Sequence, residues 1–156
     1  TKITPPVTQV NQVLTGPAYQ PAVVPTVTNP KSAFELAWGA TLMAGDLTLT
    51  GRAWNANATI TGVEVAIERL GPQGWTMLGA GWQAATLLAA PEPYMWVRFA
   101  IPWSAEPGAY RLSARATDDQ QQTQPAPDDV KWNQHGLHYN GWVRHPVTVL
   151  PMSNMP

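Results

Sequence analysis

From residue 47 onward, apolar and polar residues alternate with the period of a pleated sheet. Leu47-Thr48-Leu49-Thr50 sets the pattern and Gly51-Arg52-Ala53-Trp54 carries it on. Successive side chains of a strand point to opposite faces, so this alternation predicts a half-buried strand. The polar turn Asn55-Ala56-Asn57 leads to a second strand, Val63-Glu64-Val65-Ala66-Ile67-Glu68. Gly71-Pro72-Gln73-Gly74 has the composition of a turn, with a short strand, Trp75-Thr76-Met77-Leu78, after it. Residues 79–94 are rich in alanine and glycine and read as a loop, with a single helical turn over 83–90 as the alternative. Met95 to Ile101 predicts another strand. Glu106-Pro107-Gly108 turns the chain into Ala109-Tyr110-Arg111-Leu112-Ser113-Ala114-Arg115-Ala116, and the final strand is expected from Trp142 to Leu150.

In that penultimate strand, Tyr110, Leu112, Ala114 and Ala116 share one face while Arg111, Ser113 and Arg115 share the other. The two arginines are placed to bind carboxylates of a neighbouring strand or of a partner domain. Before residue 34 the chain is different. Pro5, Pro6, Pro17, Pro21, Pro25 and Pro30 forbid a helix, so residues 1–33 are expected to be a linker that becomes the first edge strand. The organisation is then a lead-in at 1–33, one domain at 34–150, and a tail at 151–156. About seven short strands, turn signals between them and no amphipathic helix describe an all-β protein, an antiparallel β-sandwich.

Composition narrows the function classes. Only 12% of residues are charged and the net charge is −1, which favours neither nucleic acid nor an anionic membrane as partner. No apolar run has the length of a membrane-spanning helix. The chain opens on Thr1, which suits a processed product or an excised piece. With no cysteine, it offers neither disulfides nor thiolate ligands. Eight tryptophans stand against two phenylalanines, a balance expected of indoles buried at one end with the N–H near a partner.

Three segments carry a family resemblance. They are GRAW at 51–54 followed by VEVAIE at 63–68, PGAYRLSARATDDQQQTQP at 107–125, and KWNQHGLHYNGWVRHPVTV at 131–149. In this order they resemble the C-terminal, dimerisation-type domain of sulfite-oxidase-family molybdenum enzymes. The resemblance implies an immunoglobulin-like sandwich of about seven strands without a catalytic centre of its own. It also implies a molybdopterin cofactor in another domain, on the same or a separate chain, homodimerisation, and a periplasmic or secreted location. It places Trp132, Asn133, His135, Gly136 and Asn140 in a loop on the substrate side of the catalytic domain's pocket. Trp132 would anchor that loop, Asn133 and Asn140 would satisfy its backbone, and His135 would face the substrate. Asn133, Gly136 and Asn140 suit a backbone that visits positive φ. Two positions depart from the family pattern. Gln121 stands where a loop glycine is usual, and His135 where many members have an arginine, so its charge depends on pH.

Other constellations have simpler explanations. His135, His138 and His145 lack the carboxylates or cysteines that complete a zinc set. Asp118-Asp119 and Asp128-Asp129 lack the spacing of a calcium loop and read as solvated loop acids. Asn57-Ala58-Thr59 is a formal glycosylation acceptor and reads as a turn, and no serine has a hydrolase nucleophile's setting. The competing function is a free-standing module for a glycan or protein partner, with Trp75, Trp82, Trp96 and Trp103 as an aromatic platform. Against it, these indoles are expected as core and interface anchors, Trp96 on its strand especially.

Overall fold

The computed structural model describes residues 28–130 and 139–152. Most of the proline-rich lead-in, together with Trp132, Asn133, His135, Gly136, His138 and the end of the tail, lies outside the described residues. Among the described residues the chain forms ten strands, one short 3-10 turn at Pro127–Asp129 and no α-helix. The strands are β1 (Lys31–Phe34), β2 (Ala40–Met43), β3 (Gly45–Trp54), β4 (Ile60–Gly71), β5 (Gly74–Met77), β6 (Gln83–Ala84), β7 (Thr86–Leu87), β8 (Val97–Ala105), β9 (Gly108–Asp118) and β10 (His145–Leu150).

They make two sheets. One has the order β1-β3-β8-β7; the other runs β2-β10-β9-β4-β5, with β6 also on β4. All pairings are antiparallel except β2 with β10, which is parallel. The alternation in the sequence sets which residues meet between the sheets. Leu49 and Ala53 of β3 and Val97, Phe99, Ile101 and Trp103 of β8 face Val63 and Val65 of β4, Leu112 and Ala114 of β9, and Val147 and Val149 of β10. Trp103 and Tyr110 meet across the layers edge to face at 4.9 Å. The Tyr110 hydroxyl then donates back to the Glu106 carbonyl at 2.8 Å, a tyrosine corner of the kind found in immunoglobulin-like sandwiches.

Three local readings change. Residues 79–94 contain the crossing between sheets: β6 pairs with β4, β7 pairs with β8, and Ala85 N donates to the Val63 carbonyl between them. The last strand starts at His145 and not at Trp142, because Trp142 N donates to the Pro125 carbonyl outside the ladder. Asp118 is not a solvated loop acid. It is 1% exposed, and its carboxylate accepts from Asn55 Nδ2 at 2.8 Å, Gln120 N at 3.0 Å and Gln122 N at 2.9 Å. Three donors replace the water it loses. In the turn they hold, Gln121 takes φ 62°. That left-handed conformation is the one a glycine adopts without strain, which gives a physical reason for glycine at this place in the resembling sequences.

Gly51 is fixed by packing. A Cβ there would overlap the Phe99 ring and lie 2.5 Å from the Ala33 carbonyl oxygen, so β1 and Phe99 both close over a bare backbone. Gly51→Ala is expected to cost about 1–3 kcal/mol by overpacking. Gly62→Ala, where a Cβ meets nothing within 4 Å, should stay within about 0.5 kcal/mol. Urea unfolding of the two variants checks the contrast.

Candidate functional site

The registers bring several strand ends to one pole of the sandwich. Lys31 pairs with Trp54, Ala53 with Val97, and Ile60 with Asp118. Asn140, the one proposed loop residue within the described part, is held near this pole through its backbone. Its carbonyl accepts from Gln124 Nε2 at 2.9 Å. Gln124 is 4% exposed; its Oε1 accepts from Ala116 N at 3.0 Å and lies 2.6 Å from the Ser32 hydroxyl. That hydroxyl is also 2.8 Å from the Ala114 carbonyl, so one proton lies between two acceptors. The amide therefore connects β1 of one sheet, β9 of the other and the segment that follows the loop. Asn140 does not take a positive φ, contrary to expectation; Tyr94 and Gln121 are the described non-glycine residues that do. Gly141 beside it is buried, with Tyr139 and Val130 too close for a Cβ.

His145 is a structural histidine. Its Nε2 lies 2.9 Å from the Ala37 carbonyl, which can only accept, so Nε2 carries the proton. The ring packs between Phe34 and Trp38, with centroids 6.1 and 5.3 Å away. A cavity of about 320 Å³ opens alongside, lined by Phe34, Leu36, Trp38, Val143 and His145 among others. No group of three or more metal-ligating side chains occurs among the described residues, and the chain has no cysteine. These residues do not fit a thiolate-ligated molybdenum site.

The tryptophans divide between surfaces. Trp103 is in the core at 8% exposure. Trp75 lies under the Arg111 guanidinium at 3.9 Å and Trp82 under that of Arg115 at 4.3 Å, both on the outer face of the β4-β9 sheet. Trp142 meets Trp82 edge-on at 5.4 Å and carries Arg144 at 4.9 Å. Arg115 also finds the carboxylate expected of it, Glu64 on the adjacent strand at 2.8 Å. Trp96 is not a core anchor. It is 54% exposed and stacks on Trp54 at 5.7 Å on the outer face of the other sheet. Trp75, Trp82, Trp96 and Trp103 therefore do not form one platform.

Beside that stack, Glu35 bridges Arg98 and Arg52, each at 2.6 Å. The hydrogen bonds from Arg98 and then Arg52 hold its carboxyl at about 2, against an ordinary 4.5.

This geometry is that of an all-β, immunoglobulin-like sandwich, stabilised at one pole by buried amide and carboxylate groups. The chain belongs to the Mo-co oxidoreductase dimerisation domain family, which it matches over residues 18–150. By family it is a dimerisation domain and not a catalytic one, and the resemblance to the sulfite-oxidase family is borne out. No curated protein matches the chain. Among solved structures it is similar to the sulfane dehydrogenase SoxCD from Paracoccus pantotrophus, with TM-score 0.61 and 23% identity over 79% of this chain. It spans 33% of that protein's length, and at this identity the likeness shows the fold. The fibronectin(III)-like modules of Clostridium thermocellum CbhA also align, with TM-score 0.47 and 15% identity, over 83% of this chain and 50% of theirs.

Sequence reasoning missed Gln124 as the residue that holds Asn140. The segment carrying the resemblance contains it, in its Gln-Pro pair, but nothing in the chain indicated that its amide is buried. Gln124→Ala leaves the Ala116 N–H without its Oε1 partner and releases the Asn140 carbonyl. It should cost about 2–3 kcal/mol in denaturant unfolding, with exchange of the Trp142 amide accelerated. Glu35 sets a pH dependence. Its folded pKa is depressed, so its contribution is complete above pH 4.5 and is lost as pH falls toward 2. The difference in melting temperature between wild type and Glu35→Gln should shrink across that window, and 1 M salt should reduce it at neutral pH.

Proposed function

We propose that the chain is the structural and dimerisation domain of a sulfite-oxidase-like molybdenum-cofactor oxidoreductase. In this reading it packs against the molybdopterin catalytic domain, in the same or a separate chain, and forms a homodimer. The 132–140 loop helps close the catalytic pocket: Trp132 anchors it, Gly136 allows its turn, Asn133 and Asn140 satisfy its backbone, and His135 faces the substrate. The cofactor, held elsewhere, supplies the redox chemistry. The setting is periplasmic or secreted.

The observation that carries the loop's role is the Gln124–Asn140 hydrogen bond, with the Trp142–Pro125 bond beside it. Two bonds fasten the downstream end of the loop to the sandwich, which suits a loop that must present side chains at a fixed place. A free-standing glycan or protein-binding module is the second reading, favoured by the exposed Trp54–Trp96 stack.

The native polypeptide containing this segment decides between them. A chain much heavier than 16.9 kDa, or one isolated with a molybdenum-containing subunit, is expected. A free 16.9 kDa protein without molybdenum overturns the reading. In the complete enzyme His135→Ala should raise KM with the dimer mass unchanged; an unaltered KM removes the loop from the pocket.

A further inference from the structure

Asn140-Gly141 is the one Asn-Gly pair in the chain. A glycine after an asparagine leaves the side-chain amide open to attack by the following backbone nitrogen. With no Cβ in the way, the Gly141 nitrogen can close on Asn140 Cγ to form a cyclic imide. Every other asparagine precedes Gln, Pro, Ala or Met, whose side chains hinder that closure.

The fold leaves both reacting groups unengaged. Among the described residues, neither the Asn140 side-chain amide nor the Gly141 N–H has a hydrogen-bond partner. Asn140 is half-buried and is held through its backbone carbonyl. Tyr139 and Val130 close over Gly141, where a Cβ would lie 2.6 Å from Tyr139 Oη and 2.9 Å from Val130 Cγ2. Packing therefore favours the very residue that makes its neighbour reactive.

The same place shows what holds the reaction back. The Asn140 carbonyl and the Gly141 N–H belong to one peptide unit, which is planar and moves as a whole. Gln124 Nε2 donates to that carbonyl at 2.9 Å, and Trp142 N donates to the Pro125 carbonyl at 3.1 Å one residue further on. Ring closure needs a ψ at Asn140 outside the regions open to an L-residue at rest. The peptide must therefore rotate, and rotation swings its carbonyl off Gln124.

We propose that Asn140 is a site of spontaneous deamidation, and that opening of the Gln124 clamp sets its rate. On opening, Gly141 N attacks Asn140 Cγ and forms a C–N bond. The side-chain nitrogen leaves as ammonia, taking the proton of the Gly141 N–H. Water then opens the imide at either carbonyl, which leaves aspartate or isoaspartate. Both products place a carboxylate at residue 140. Isoaspartate also reroutes the backbone through Cβ and Cγ, so the carbonyl that Gln124 held becomes part of a free carboxylate. Water does not reverse the change, so the segment after the loop loses its fastening for the life of the chain. The site stands whether or not the loop closes a catalytic pocket.

Incubating the intact polypeptide at mildly alkaline pH and mapping its peptides for aspartate and isoaspartate tests this. Asn140 is expected to convert before any other asparagine, about tenfold more slowly in the folded chain than in urea. Gln124→Ala removes the clamp. Gln124→Glu keeps oxygens for Ala116 N and Ser32 and removes only the donor to Asn140. Each should raise the folded rate about tenfold, the worth of one hydrogen bond on the moving peptide. Val149→Ala opens a cavity at the other end of β9, where Val149 pairs with Gly108. It lowers global stability without touching the clamp and should leave the rate near that of wild type. An Asn140 that stays an amide in urea while other asparagines convert overturns the site. Equal folded and urea rates in wild type overturn the clamp, and so does a rate in the Gln124 variants no higher than in Val149→Ala.

Discussion

One buried amide holds one pole of the sandwich together. Gln124 sits where β9 would otherwise leave its Ala116 N–H unpaired. Its Oε1 serves Ala116 N of β9 and the Ser32 hydroxyl of β1, and its Nε2 serves the Asn140 carbonyl. Buried polar groups are tolerated only when paired, so this set is correct all at once or costly all at once. The consequence is geometric. The polar loop after β9 folds back along the strand, with Gln124 N donating to the Ala116 carbonyl and Thr117 bridging Thr123. It also leaves the segment after residue 138 at a defined place. The Asn55–Asp118 pair does the same for the neighbouring turn, joining the end of β3 to the end of β9 with a carboxylate that has no water to rely on.

The parts of this fold legible in the sequence were those where one strand's own alternation decides its face. β3, β4 and β9 read correctly because each has enough residues for the period of two to declare itself, while β8, expected from Met95 to Ile101, runs from Val97 to Ala105. β2 has four residues, and its parallel partner β10 lies at the other end of the chain, so no local signal marks it. Trp96 shows the limit differently. With Val97, Phe99 and Ile101 turned inward, parity already assigns Trp96 to the outer face, and only its size suggested a core position. Asp118 looked like the first of two solvated acids. Its burial depends on Asn55, which chain folding brings opposite and which no spacing rule anticipates. Gln121 was noticed as a departure from glycine, and its φ of 62° supplies the physical cause. For Trp132, Asn133, His135 and Gly136 the resemblance remains the basis of their roles.

Charge is scarce in this chain, and the way each outer face uses it separates the two faces. On the β4-β9 face every guanidinium named has a neighbour of its own: Arg111 on Trp75, Arg115 on both Trp82 and Glu64, and Arg144 on Trp142. Indole and guanidinium pair well because the ring face is negative and the planar cation is weakly hydrated, so the stack covers apolar surface without stranding charge. On the β3-β8 face the same residue types are combined differently: Trp54 stacks on Trp96 and not beneath an arginine, and Arg52 and Arg98 share Glu35. Aromatic surface and positive charge lie side by side there, at the pole where Thr28 is bonded to the Asn55–Asn57 turn. The two outer faces therefore differ in how charge is placed: on the β4-β9 face Arg111, Arg115 and Arg144 each lie over an indole, and on the β3-β8 face two guanidiniums share one carboxylate.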